Sequence, residues 1–432
     1  MKSHDRTSLL IHSGHVIDPA ARIDAPMDIL LKDGRVAEVA PPRKIKGAES
    51  RFDARGLVVA PGFIDLHVHL REPGQQHKET IATGTAAAAA GGFTSVCTMP
   101  NTAPVVDSTE WVTWLRLAER GAVVSVFSIA AATRGSKGAV LTDFGALQTA
   151  GAVAVTDDGK PILDDRVMRE ALILGGELNF PVVQHAEDTR MTEHCSMHAG
   201  ARSFRLGLRG MTAAAEASIV ERDVQLAMQI PNARLHVAHV STADALKALR
   251  RGKRAKARIT FEVTPHHFTL SDEDMRDYDS NYKMNPPLRS PADREAILVA
   301  LADGTVDAIA TDHAPHAHHE KEMEFERAAF GITGLETALA LAITRLHVGK
   351  RVPLGRIVEL FTSGPVRCFD LRGRGSLVRG SFADVTIFDP KRKWTFDAAK
   401  SLSKSKNTPF DGWQLMGKVM ATIVGGKIVY TA

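Results

Sequence analysis

The sequence predicts an α/β protein: a parallel barrel flanked by a small β domain that both ends of the chain build together. Three observations predict it. From Phe63 onward, strand-like and helix-like runs alternate, which is the pattern of βαβ units and a parallel sheet. Short apolar runs broken by glycine and proline turns flank that region on both sides, and the end of the chain resembles its beginning. Histidines and aspartates recur where strands of the alternating region stop, the face on which α/β barrels carry their chemistry.

Taken in order, residues 1–58 form the first part of the expected β domain. SLLIHSGHVIDP, DILLKDGRVAEVA and FDARGLVVAPG are apolar segments interrupted by Gly-His, Asp-Gly and proline turns. Residues 59–364 form the expected barrel. There FIDLHVHL precedes the alanine-rich TIATGTAAAAAG, FTSVCTMPN precedes STEWVTWLRLAERG, and GAVAVTDD precedes DDRVMREALILGG. FPVVQHAED, RLHVAHVST and DAIATDHAPH continue the series, with helical segments between them. Residues 365–432 turn β-rich again; GSLVRGSFADVTIFDP and MATIVGGKIVY are strand pairs with glycine turns, and they complete a small β sandwich with the first segment.

The 432 residues are 44% hydrophobic and 24% charged, which suits a globular chain with a sizeable core. A net charge of +4 from 54 basic and 50 acidic residues is a thin excess. It suits a small anionic substrate and, without a recognition motif, argues against nucleic acid. Cys97, Cys195 and Cys368 lie far apart with no CxxC pair. Neither a disulfide framework nor a thiolate zinc site is expected, and the cytoplasm is the expected compartment. The N-terminus carries charges where an export leader would need an apolar run, and the small-apolar stretch Ala86–Gly92 is too short to span a bilayer. The basic run KSLSKSK, Lys400–Lys406, is expected to be a solvated loop.

His67 and His69 stand two apart at the end of FIDLHVHL. Strand residues at that spacing share a face, so two imidazoles can meet one metal ion. Downstream, Asp157 and Asp158 follow GAVAVT, His185 ends FPVVQH, His239 ends RLHVAH and Asp312 ends DAIATD. Ser241 and Thr242 can then cap the next helix. Coincidence is a poor explanation for the same residue types at five strand ends. Imidazoles and carboxylates without thiolate suit zinc, and also manganese or cobalt. Four histidines and two carboxylates exceed what one tetrahedral ion with an open position needs; they would serve two ions that share a carboxylate. Neighbouring strand residues face opposite ways, so only one of Asp157 and Asp158 can bridge, and the local sequence leaves the choice open.

In order along the chain, PGFIDLHVHLREPG, GGFTSVCTMPNT, VTDDG, QHAED, HVAHVST, EVTPHHF, YKMNPPLR and IATDHAPH resemble the motifs of type I dihydroorotases of the amidohydrolase superfamily. The resemblance covers the chain from about Pro61 to Glu336, and the terminal segments, GSFADVTIFDP among them, resemble that superfamily's composite β domain. It implies a (β/α)8 barrel and a hydrolase of cyclic amides with one or two zinc ions (Zn2+) per subunit. The implied reaction interconverts (S)-dihydroorotate and N-carbamoyl-L-aspartate in pyrimidine synthesis. By motif, His67, His69 and Asp312 resemble ligands of the more buried ion, His185 and His239 ligands of the second, and Asp158 the bridge. Asp312 is also the implied proton carrier. Related hydantoinases bridge with a carbamylated lysine, and no lysine stands on that strand here.

Arg71, in HLREPG, can grip a substrate carboxylate through two charge-assisted hydrogen bonds. His69, Asn101, Asn285 and His316 match family positions that meet the substrate, and Phe330 with Gly331 resembles a segment whose backbone contacts the pyrimidine ring. Allantoinases generally carry asparagine in the place of Arg71. Two other readings follow. One is another cyclic amidohydrolase (hydantoinase, dihydropyrimidinase or allantoinase), which Arg71 and the missing lysine disfavour. The other is a non-catalytic partner of aspartate carbamoyltransferase, whose signature would be lost ligands, whereas all are present. A homo-oligomer and a complex with aspartate carbamoyltransferase are assemblies the resemblance allows. His236, three residues before His239, is expected to point the other way; His266 and His267 are expected to support the site at most, and His77, His194, His198, His318 and His319 to be structural or solvated. The polar segment after His316, AHHEKEMEFERAAFG, is a candidate lid.

Overall fold

A computed structural model describes residues 8–432. The charged start of the chain, on which the expectation about a leader partly rests, lies outside the described residues. Five strands come first: β1 (Ser8–Asp18), β2 (Ile23–Lys32), β3 (Arg35–Ala40), β4 (Ser50–Asp53) and β5 (Val58–Pro61). The alternating region contributes β6 (Phe63–Val68), β7 (Phe93–Thr98), β8 (Ser125–Ala130), β9 (Ala154–Thr156) and β10 (Val182–Gln184). It continues with β11 (Met197–His198), β12 (Gly210–Met211), β13 (Leu235–Val237), β14 (Ile259–Val263) and β15 (Ala308–Ile309). The chain ends with β16 (Val385–Thr395), β17 (Gln414–Val424) and β18 (Lys427–Thr431).

Eight strands form the barrel, in the order β6-β7-β8-β9-β10-β13-β14-β15, with β11 and β12 paired apart from it. All pair in parallel. The ring closes just beyond β15, where Val68 pairs with His313 and the His69 N–H donates to the His313 carbonyl at 2.9 Å. This is the eight-stranded barrel that the motifs imply. Helices cover the outside, so strands such as β6 and β7 are buried along their whole length. Inside, Ile64, Leu66, Cys97, Ile129, Val183 and Ala308 pack with Cys368, Phe369 and Leu371. The helix Ser363–Phe369 thereby closes the end of the barrel where the strands begin. Gly364 permits it: a Cβ there would stand 2.2 Å from the Asp307 carbonyl.

The terminal strands form one eight-stranded sheet, β18-β17-β16-β5-β1-β2-β3, with β4 against β1. The turn between β2 and β3 meets the turn between β17 and β18. The Ala383 N–H donates to Gly34 at 2.9 Å, and the Gly426 N–H donates to Ala383 at 2.9 Å. The sheet therefore folds over on itself. It encloses Ile11, Val16, Ile29 and Leu31 from the first segment with Val385, Ile387, Ala421 and Ile423 from the last. Each buried Ile, Leu or Val among them contributes about 1.5–3 kcal/mol relative to exposure, and neither segment could gain that alone.

Two threonines dock this sheet on the barrel. Thr386 accepts from the Phe63 N–H at 3.1 Å and donates to the Gly92 carbonyl at 2.6 Å. Thr422 donates to Ala89 at 2.6 Å, so strands from the C-terminal segment satisfy carbonyls at the end of the helix Ile81–Ala90. Gly92, with φ +88, allows the approach, because a Cβ there would lie 2.7 Å from Thr386.

The run Lys400–Lys406 is not the solvated loop expected of it. Lys404 and Lys406 are exposed, but Ser403, Ser405 and Asn407 are buried. Ser403 donates to Glu79, the Lys404 N–H donates to the same carboxylate at 3.0 Å, and Ser405 donates to the Lys78 carbonyl at 2.6 Å. Alternating serine and lysine is a two-residue period with one buried face, a pattern that the count of like charges hides. Among the described residues, no helix is long and apolar enough to cross a membrane.

Candidate active site

The barrel strands deliver their last residues to one shared mouth. His67 sits on β6, His69 and Arg71 follow it, Asn101 follows β7, and Asp158 follows β9. His185 follows β10, His239 follows β13, and Asp312 and His316 follow β15. All but the half-buried Asn101 are buried. Three of them turn the chain sharply in left-handed backbone: Arg71 at φ 62, His239 at φ 34 and Asp312 at φ 50. Such conformations cost roughly 1–3 kcal/mol each in residues other than glycine, and they gather where the surroundings enforce a functional geometry.

Asp158 is the junction. Its Oδ1 lies 3.4 Å from His67 Nε2 and 3.8 Å from both His185 Nδ1 and His239 Nε2, and its Oδ2 lies 3.6 Å from His69 Nε2. Asp312 Oδ1 is 3.1 Å from His69 Nε2 and 3.5 Å from His67 Nε2. His185 Nδ1 reaches His239 Nε2 at 3.0 Å. Asp157 is turned away, accepting from the Thr133 N–H at 2.9 Å and from the Thr133 hydroxyl. Of the two adjacent aspartates, it is Asp158 that faces the histidines. Burial would raise the carboxyl pKa of both Asp158 and Asp312, but the surrounding imidazoles, His67 foremost, hold both well below the usual range.

The donors fit a divalent metal ion. Two groups, His67-His69-Asp312 and His67-Asp158-His239, bring their ligand atoms within 4.8 Å of one another. Among the described residues, His67 Nε2 and His239 Nδ1 find no hydrogen-bond partner although both are buried, and buried polar atoms are normally paired. His67 Nδ1 meanwhile lies 3.0 Å from Glu262 Oε1. A carboxylate behind an imidazole whose other nitrogen is unpartnered is the arrangement of a metal ligand with its supporting group.

Beside this cluster, Arg71 Nε donates to the Pro315 carbonyl at 3.1 Å, and its guanidinium lies 3.2 Å from His316 Nε2. Burial lowers the Arg71 pKa to about 10, which leaves it cationic at neutral pH. Burial, with the positive charges of Arg71, Lys78 and Lys321, pushes His316 down to about 3, so its ring is neutral. Asn101 joins His69 Nδ1 at 2.9 Å and Asp158 Oδ2 at 3.0 Å. Asn285 donates to Glu187 at 2.7 Å, and both line a cavity of about 820 Å³ with Phe330, Arg209 and Arg327. Gly331 offers no unpaired backbone group: its N–H donates to Lys283 at 3.0 Å, and its carbonyl accepts from Lys321 and Asn407, each at 3.0 Å. The candidate lid is pinned by side chains that point inward, with Lys321 and Phe325 buried.

The family described as "Dihydro-orotase-like" matches residues 56–245. A dihydroorotase of Solibacter usitatus (strain Ellin6076) is 50% identical over 424 residues, covering 98% of each chain. The chain belongs to the dihydroorotase family. A second dihydroorotase, of Citrifermentans bemidjiense, is 47% identical over 426 residues, 98% of this chain and 100% of that relative. Among solved structures, the L-hydantoinase (dihydropyrimidinase) from Arthrobacter aurescens superposes with a TM-score of 0.87 at 23% identity, covering 98% of this chain and 96% of that one. The dihydropyrimidinase from Brevibacillus agri NCHU1002 gives 0.84 at 20% identity, with 98% and 95% covered. At those identities the likeness is one of fold, the barrel with its two-ended β domain.

For this member of the dihydroorotase family, sequence reasoning missed two neighbours of the site, Glu262 and Glu187, and misoriented a third, His236. Glu262 Oε2 lies 3.2 Å from His236 Nε2, so His236 faces the barrel interior with the cluster above it. The expectation that it points elsewhere assumed a strand running on to His239; β13 stops at Val237, and the left-handed turn at His239 breaks the alternation. Glu187 Oε2 lies 3.0 Å from His185 Nε2, two residues along the same segment, and that spacing was the available signal. His267 is held by Thr264 at 2.7 Å and Pro286 at 3.1 Å, while His266 packs on it with Nε2 unpartnered.

Proposed function

We propose that the chain catalyses the reversible hydrolysis of (S)-dihydroorotate to N-carbamoyl-L-aspartate in pyrimidine synthesis, with zinc as its metal at one or two ions per subunit. The observation that carries this reading is a buried, cationic Arg71 beside a histidine–aspartate cluster centred on Asp158. A guanidinium there suits a cyclic amide that bears a carboxylate, and an uncharged amide would leave it unpaired.

His67, His69 and Asp312 would hold one ion, His185 and His239 a second, and Asp158 would serve both. A divalent ion in such a site lowers the pKa of a bound water from 15.7 to about 7 and polarises a carbonyl oxygen. Asp312 is the group we assign to the proton. Its carboxylate is ionised at neutral pH. It takes the proton from the attacking water and gives it to the ring nitrogen as the amide C–N bond breaks. Arg71 and His316 grip the substrate carboxylate from adjacent positions. Asn101 braces His69 and Asp158 and flanks the bound ring, with Asn285 and the Phe330–Gly331 segment on the cavity side. Holding the substrate before reaction supplies the attack geometry. In the biosynthetic direction the same groups close N-carbamoyl-L-aspartate. The cytoplasm is the compartment we assign, since Cys97, Cys195 and Cys368 are all free thiols.

The test is turnover of L-dihydroorotate by the purified chain alone, with bound metal quantified on the same sample. Turnover that a chelator abolishes and zinc restores supports the reading, and the metal count separates one ion from two. A metal-loaded chain that hydrolyses dihydrouracil or hydantoin but not dihydroorotate overturns the substrate. A loaded chain that turns over dihydroorotate only after aspartate carbamoyltransferase is added assigns that partner a place in the active assembly.

A further inference from the structure

Asn407 belongs by sequence to the C-terminal β segment, yet its side chain lies in the mouth of the barrel. We propose that Asn407 is a positioning residue for substrate binding, an amide clamp that fixes His316 and the Phe330–Gly331 segment against each other. The inference rests on the reading that Arg71 and His316 hold the substrate carboxylate.

The clamp is visible in its bonds. Asn407 Oδ1 accepts from the His316 N–H at 3.0 Å. Its Nδ2 donates to the Ala314 carbonyl at 3.1 Å and to the Gly331 carbonyl at 3.0 Å. Its own carbonyl accepts from the Thr333 N–H at 2.8 Å. One side chain thus uses donor and acceptor ends of a planar amide on two separate loops, the loop after β15 and the return through residues 330–333. Asn407 is only 5% exposed, so water does not replace these bonds at low cost.

The two loops leave no slack between them. A Cβ on Gly331, at φ +131, would lie 2.6 Å from Ala314 Cβ and 3.3 Å from His316 Cδ2. His316 Nε2 is 2.8 Å from the Phe330 carbonyl and 3.2 Å from Arg71. A shift of the His316 main chain therefore carries the imidazole away from both. The chain that follows Asn407 is firmly seated: Thr408, Pro409 and Phe410 are buried. The β domain thereby reaches the substrate site through one side chain.

The experiment uses the full-length, metal-loaded protein and compares Asn407→Ala, the milder Asn407→Ser, and the control Ser405→Ala. The control loses a buried hydrogen bond from the same segment without touching His316 or Gly331. KM and kcat for dihydroorotate, metal content and Tm are read for each. Asn407→Ala is expected to raise KM on the order of tenfold, with kcat and metal content little changed. Asn407→Ser should fall between it and the wild type and decides alone if the alanine variant does not fold. Ser405→Ala should lower Tm and keep KM. An unchanged KM in the Asn407 variants overturns the inference, as does an equal KM rise in Ser405→Ala. A wild-type chain without dihydroorotate turnover overturns the functional reading and this inference with it; a competent wild type whose KM ignores Asn407 overturns the inference alone.

Discussion

Glu262 reaches His67 beneath the candidate metal centre, Oε1 to Nδ1 at 3.0 Å, and its other oxygen meets His236 Nε2 at 3.2 Å. His236 Nδ1 in turn meets Thr260 at 2.8 Å. Burial would raise the Glu262 carboxyl, but hydrogen bonds from His236 and His67 bring it down to about 2. With a metal ion bound, the ionised carboxylate would keep the His67 proton on Nδ1 and leave Nε2, which faces Asp158 and Asp312, free for the ion.

Replacing Glu262 with Gln keeps the size and removes that charge. The variant is expected to hold metal about 10–100-fold more weakly, because the ligand loses the partner that sets its tautomer and basicity. Titration with a chelator, followed by metal analysis of the protein fraction, measures it. The same chelator midpoint in both proteins would mean that Glu262 merely fills space under His67.

Asp312→Asn removes the proposed proton carrier and one oxygen of the cluster. Turnover of dihydroorotate should fall by roughly 10²–10⁴-fold, the usual worth of a positioned general base. Arg71 and His316 remain, so dihydroorotate should still bind, which calorimetry can check while metal content is assayed on the same sample. Turnover close to wild type would remove Asp312 from the mechanism.

Arg71→Ala should separate substrates by charge. A hydrogen bond to a charged group is worth about 1.5–3 kcal/mol, so kcat/KM for dihydroorotate should drop by roughly tenfold to a few hundredfold. Dihydrouracil, which has the ring without the carboxylate, should lose far less or gain. Equal losses on the two substrates would mean that Arg71 supports the loop through Pro315 and does not read the carboxylate.

What was legible in the sequence is residue type at the place where an apolar run stops. That is why His67, His69, His185, His239 and Asp312 stand out, and why the barrel does. Orientation is harder to read. Alternation on β13 puts His236 and Ala238 towards the barrel interior, and His239 would face the outer helices if the strand continued; only the turn at φ 34 brings it to the mouth. Asp157 and Asp158 are alike in sequence and separate only because Thr133, from another loop, takes Asp157. Glu262 stands inside ITFEV, where it passes for the polar half of an ordinary strand. Asn407 hides behind three lysines whose charge suggests solvent. The turn at His239 apart, the deciding contact comes from an element distant in the chain, and no local pattern records it.

Lys321 offers a test of the pinned segment through pH. Its Nζ donates to Ala329 at 2.8 Å, Gly331 at 3.0 Å and Lys283 at 3.2 Å. Burial, and then the neighbouring charge of Lys283, lowers its pKa from 10.5 to about 7. In the unfolded chain the group returns to the ordinary lysine value. Between those two values the unfolded state holds a proton that the folded state has released, so the unfolded state binds more protons and stability rises with pH. Below about 7 both states are protonated and the burial penalty is fully present. The wild type should therefore gain stability relative to Lys321→Met as pH rises through that window. The variant lacks the titration, and the Ala329 carbonyl that it leaves without its lysine partner offsets the gap by the same amount at every pH. Urea unfolding of both proteins at several pH values measures the gap. A gap that stays constant across the window would show that Lys321 titrates like an exposed lysine and that burial does not depress it.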